Sequence, residues 1–170
     1  MARMIGTALL LVMVAACSRE NAPAPRNDSA APADATAPTT AMPVALSAND
    51  PSLGWGACPP IFTAPGCEIA VLNGDPAKPN SDVLLRVPGG YTIPPHRHTS
   101  AERMILVSGQ FRVQYDGHEA ATLNAGNYAY GPAGQAHEAS CLGNQPCTLF
   151  IAFEGPVDAE PVTEPLSQAS

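Results

Sequence analysis

From residue 51 to about residue 158, the apolar positions fall in short runs, several of them with a period of two. Residues 110–115 place Phe111, Val113 and Tyr115 on one face and Gln110, Arg112 and Gln114 on the other, as a half-buried β-strand requires. Runs at 68–72, 82–87, 103–107, 118–123, 128–130 and 148–153 predict further strands. Asn-Gly-Asp-Pro, Pro-Gly-Gly, Asp-Gly and Asn-Ala-Gly lie between them as turn signals. Prolines and glycines interrupt every candidate helix. The pattern predicts an all-β sandwich or barrel formed by one domain, 51–158.

The flanks follow other patterns. Residues 1–16 carry one basic residue, Arg3, then an apolar run over 4–14 and two alanines. That run is shorter than the ~20 residues a membrane-spanning helix needs, so it reads as a signal peptide. Val14-Ala15-Ala16-Cys17 resembles the bacterial lipoprotein box. The resemblance implies acylation of the Cys17 thiol and a mature chain that begins there. Ser18 in the next position implies, under the Gram-negative sorting pattern, an outer-membrane anchor facing the periplasm. Ala, Pro, Thr and Ser dominate 17–50, which reads as a lipidated N-terminus and a disordered linker. Residues 159–170 read as a flexible tail.

Charge narrows the partners. The formal net charge is −7, and loss of Arg3 with the signal makes it −8. Lacking a basic cluster, the chain suits neither nucleic acid nor an anionic membrane surface, so membrane attachment is expected through lipid alone. There are five cysteines. With Cys17 assigned to the lipid, Cys58, Cys67, Cys141 and Cys147 remain, an even set that an oxidising compartment favours as disulfides. Three connectivities exist, and the spacings favour the two local ones. Neither local pair has the two-residue spacing of zinc-binding thiolates.

Candidate chemistry concentrates in residues 90–109, GYTIPPHRHTSAERMILVSG. His96 and His98 project to one face of an extended chain, and a bend at Thr99-Ser100 would bring the Glu102 carboxylate back beside them. Two nitrogen donors and one oxygen donor suit a first-row transition metal. His118 follows a hairpin turn and reads as an exposed strand residue. Tyr128 and Tyr130 share a strand face, either lining a cavity or packing in the core or at the rim. Trp55 lies ahead of the barrel and is expected to pack against it.

The spacing also carries a family resemblance. Gly90, His96, His98, Glu102 and Gly109 meet the first cupin motif at every position. Gly126, Pro132, Gly134 and His137 meet the second, with Cys141 where the pattern has Asn. The chain therefore resembles a single-domain bacterial cupin. The resemblance implies a jelly-roll β-barrel (a double-stranded β-helix) in which His96, His98, Glu102 and His137 bind one divalent metal: Fe, Mn, Ni, Cu or Zn. Such a donor set leaves one or two positions open for a substrate, dioxygen or water.

Two functions are then expected. One is a mononuclear metalloenzyme of the oxygenase type acting on a small molecule. The alternative is a non-catalytic periplasmic module that binds or senses a small ligand or metal. The resemblance also implies a homodimer as a common assembly. Metal affinity is expected to fall in acid as the imidazoles protonate near their ordinary pKa of ~6.5.

Overall fold

The computed structural model describes residues 43–169; the segment expected as a signal, 1–16, the expected lipidation site Cys17 and most of the expected linker lie outside the described residues. Eleven strands follow. They are β1 (Trp55–Ala57), β2 (Glu68–Asn73), β3 (Ser81–Val87), β4 (Thr92–Arg97), β5 (Glu102–Ser108) and β6 (Gln110–Tyr115). The remainder are β7 (Ala121–Asn124), β8 (Tyr128–Gly131), β9 (His137–Cys141), β10 (Cys147–Phe153) and β11 (Glu160–Pro161). No α-helix occurs among the described residues.

The strands form two antiparallel sheets, β1-β2-β3-β10-β5-β8 and β11-β4-β9-β6-β7. This is the all-β architecture expected from the alternation, in the jelly-roll form that the family resemblance implied. The sheets face each other through their inward residues. Val83, Leu85, Met104, Leu106, Leu149 and Ile151 come from the six-stranded sheet, and Ile93, Phe111, Val113 and Ala139 from the other. Their burial supplies the main driving force for closing the barrel.

Four strands escape the sequence pattern: β1, β4, β9 and β11. Each is short or low in β-branched residues, so it is held as a strand by its partner and not by its own propensity. β4 is the most consequential. Ile93 pairs with Ala139 and His96 pairs with His137, so three steps on β4 oppose two on β9. The extra residue is a β-bulge at Pro94-Pro95, where no N–H is available for the ladder. The bulge changes the strand's parity, so Ile93 and His96 both face the interior.

Tyr128 and Tyr130 are 56% and 47% exposed and face solvent. The cavity-lining option is therefore corrected. Met104 pairs with Ala129, which turns Ala129 to the core and both tyrosines outward. Tyr128 closes a row that runs across the outer face of the six-stranded sheet through Ile105, Phe150 and Leu84. His118 is exposed as expected, but it sits in the turn before β7 and not within a strand.

From residue 44 onward the described residues group as one unit. The Arg86 guanidinium donates to the Ala48 carbonyl at 3.1 Å and stacks 3.9 Å from the Trp55 ring centre. At the other end, the segment expected as a flexible tail makes specific contacts. β11 pairs with β4, and the Ser167 amide donates to an Asp116 carboxylate oxygen at 2.6 Å. The disulfides are the two local ones, Cys58–Cys67 and Cys141–Cys147. The second joins the end of β9 to the start of β10 and so ties one sheet to the other.

Candidate metal centre

Three separate pieces of chain converge at one end of the barrel. β4 and the residue after it bring His96 and His98, the start of β9 brings His137, and the start of β5 brings Glu102. All four are buried: His96 and His137 at 3% exposure, His98 at 7% and Glu102 at 2%. The histidines come from the five-stranded sheet and its continuation, and the carboxylate comes from the six-stranded sheet. The site therefore exists only when both sheets are packed.

The three histidines offer donor atoms within 4.8 Å of one another. Glu102 joins them: its Oε2 lies 3.5 Å from His98 Nε2, and its Oε1 lies 3.4 Å from His137 Nε2. Donors bound at about 2.0–2.2 Å and set at tetrahedral or right angles lie about 3.0–3.5 Å apart, so these separations suit a shared ion.

The outer ring nitrogens are fixed by backbone carbonyls. His96 Nδ1 faces Pro94 O at 2.8 Å, His137 Nδ1 faces Gln135 O at 3.2 Å, and His98 Nδ1 bonds to Asp158 O. A carbonyl accepts only, so each Nδ1 carries the hydrogen and each Nε2 presents its lone pair inward. That is the tautomer a metal ligand needs.

Burial sets the proton affinities. It lowers His96 to about 4 and, with the neighbouring imidazoles, lowers His137 to about 3; it lowers His98 as well. It also raises Glu102 to about 8. The expected acid titration near ~6.5 is thus displaced downward, because a charged imidazole would lose its hydration here. Glu102 Oε1 is buried and makes no hydrogen bond. Such an atom is costly unless a cation or a proton satisfies it. The residues present therefore fit a divalent metal.

Sequence reasoning missed three contributors. A Cβ on Gly131 would lie 2.9 Å from both Cγ and Oε1 of Glu102, so only glycine leaves room for the carboxylate. Asp158 anchors the C-terminal segment beside the site: its carboxylate accepts from the Thr99 amide at 3.0 Å and from the Thr99 hydroxyl, while its carbonyl orients His98. Phe62, from the loop closed by Cys58–Cys67, lies edge-on to His96 with ring centres 5.9 Å apart. The register of β8 against β5 would have pointed to Gly131; nothing local marks Asp158 or Phe62. Cys141, the departure from the second motif, lies four residues along β9 from His137 and is disulfide-bonded, so it is not a metal ligand.

Residues 83–153 match the family model described as a cupin domain. These residues therefore form a cupin domain. Solved structures agree on the fold. An RmlC-like cupin from Shewanella frigidimarina is 21% identical with a TM-score of 0.51, over 62% of this chain and 86% of that one. The DMSP lyase DddQ from Ruegeria pomeroyi is 18% identical with a TM-score of 0.55, over 65% of this chain and 60% of that one. A mutant of Bacillus subtilis oxalate decarboxylase OxdC is 16% identical with a TM-score of 0.54, over 66% of this chain but 30% of that one. At these identities the likeness shows the fold alone. No curated protein sequence matches the chain.

Proposed function

We propose that this chain is a mononuclear metal cupin that holds one divalent transition ion through His96, His98, Glu102 and His137. The observation that carries the reading is the convergence of three inward Nε2 lone pairs on a buried carboxylate whose Oε1 has no partner. Bound there, such an ion would supply Lewis acidity and open coordination positions. The chain's own residues hold the imidazoles neutral, orient them through backbone carbonyls and exclude bulk water. An oxygenase-type reaction on a small molecule, in an exported lipoprotein anchored at Cys17, is the working assignment. The Val14-Ala15-Ala16-Cys17 box supports its export half.

A second reading, a non-catalytic binding module, is favoured by one feature. Besides the four proposed ligands, Asp158 is the one acid–base side chain among the described residues that lines the cavity, and Thr99 engages its carboxylate.

The test is elemental analysis of protein matured through its export route, with oxygen uptake measured in the presence of candidate ligands. One equivalent of divalent metal per chain, lost in His137→Ala, is the expected result. Wild-type protein isolated without metal, and unable to take up iron, manganese, nickel, copper or zinc, would remove the reading. Metal uptake without turnover would favour the binding module.

A further inference from the structure

We infer that the site takes a small aliphatic monoanion with a single oxygen-donor head, such as a short monocarboxylate. The inference rests on the metal reading above and deepens it.

The cavity wall beyond the metal donors is hydrocarbon. Leu85, Met104, Phe111, Val113, Leu149 and Ile151 are among its lining residues, and among the described residues no lysine, arginine, serine, threonine, asparagine, glutamine or tyrosine lines it. The polar lining side chains are the three histidines, Glu102 and Asp158. Each is already committed. The Nδ1 atoms go to carbonyls, the Nε2 atoms and the Glu102 carboxylate point at the ion's position, and the Asp158 carboxylate goes to Thr99. A ligand's second polar group, set away from the ion, would find no side-chain partner among the described residues of this lining. Burying it unpaired weakens binding on the order of tenfold or more.

Charge narrows the class further. A divalent ion with the buried Glu102 carboxylate leaves a net charge of about +1 among the buried groups of the chamber, because the Asp158 carboxylate at its edge is 31% exposed and screened by solvent. A monoanion neutralises it. A dianion leaves about −1 and a neutral donor leaves about +1, and each residue of charge is costly where no counter-charge can follow.

Size sets the third limit. The cavity measures about 50 Å³, about a third of the ~150 Å³ that accommodates a benzene ring. Phe62, Val157 and Asp158 border it. The chamber therefore suits a chain of a few carbon atoms and not an aromatic ring or a sugar.

The mature chain loaded with cobalt(II) as the metal probe tests this. Acetate, propionate, propionamide, malonate and benzoate are titrated while the visible cobalt absorption is followed. Propionate should bind roughly four-fold more tightly than acetate, the gain for one buried methylene. Propionamide, malonate and benzoate should each bind at least tenfold more weakly than propionate. Malonate or benzoate matching propionate, or acetate exceeding it, would overturn the ligand class while leaving the metal site intact. Cobalt lost on desalting the wild-type chain would instead show that the metal reading is wrong, and the ligand class would fall with it.

Discussion

The two ends of this barrel are built from the same strands and do opposite things. At one end Val87 and Leu106 pack beside the Cys141–Cys147 bridge with no exposure. Gly109 closes the β5–β6 turn there with φ of +87°, and a Cβ on it would meet Pro146 O at 2.7 Å. Polar groups at that end are paired, as in the Tyr91 hydroxyl donating to Ala64 O at 2.9 Å, and among the described residues none of its buried side-chain polar atoms lacks a partner. At the other end, β4, β5, β6 and β9 carry buried imidazoles, a buried carboxylate and a Tyr115 hydroxyl without a hydrogen-bond partner. The contrast teaches a division of labour. The disulfide end supplies stability, and the histidine end holds polar groups whose burial is unfavourable until a ligand satisfies them.

If that division holds, changes at the histidine end should alter metal affinity, and changes at the disulfide end should alter stability. The largest effect is expected from His137→Ala. It removes a donor that reaches the site only through closure of the barrel, and metal affinity should fall by more than the ~10–100-fold typical of losing a supporting partner. Calorimetric titration measures it. Wild-type affinity in this variant would break the four-donor site.

Gly131→Ala comes next. Its methyl group would displace the Glu102 carboxylate, so affinity should fall by about 10–100-fold with the histidines intact. An unchanged affinity would show that Glu102 is not a ligand. Asp158→Ala should cost less, about tenfold, because the carbonyl that orients His98 remains while its clamp on Thr99 is lost. A faster metal off-rate would be its signature.

The metal-free protein should show the strain at the histidine end as a pH dependence. Histidines lowered to about 4 and about 3 stay neutral in the folded chain while the unfolded chain takes up protons below ~6.5. Stability should therefore fall as pH drops from ~6.5 toward 4. Glu102, raised to about 8, keeps its proton in the folded chain while the unfolded chain releases it above its ordinary value of 4.5. That contribution is lost as pH rises toward 8, so the metal-free stability should peak near pH ~6.5. Metal holds Glu102 ionised in the folded state and should abolish the alkaline decline. Urea unfolding across pH, with and without metal, tests both limbs.

At the opposite end, replacing Cys141 and Cys147 by Ser should lower unfolding stability by about 2 kcal/mol, as expected for so short a loop. Metal affinity should be unchanged. A parallel loss of metal would merge the two ends into one unit. His118→Ala should change neither quantity.

The strand periodicity, the two glycine–histidine motifs and the even cysteine set made the barrel, its donors and its candidate bridges legible. These are properties of residue type and spacing, and alternation along a chain reports which side chains face inward wherever the strand is regular. His96 shows where that ends. Its inward direction depends on the Pro94-Pro95 bulge, whose parity shift is defined only against β9. Gly131 matters because β8 lies beside β5 in one register, and Asp158 matters because the chain returns after β10 to lie over His98. The tertiary structure also decided the proton affinities, since burial comes from neighbours supplied by both sheets. By itself the sequence determined the donor atoms. Their tautomers, their spacing and the apolar chamber beside them depend on contacts between segments tens of residues apart, which residue type and local spacing do not encode.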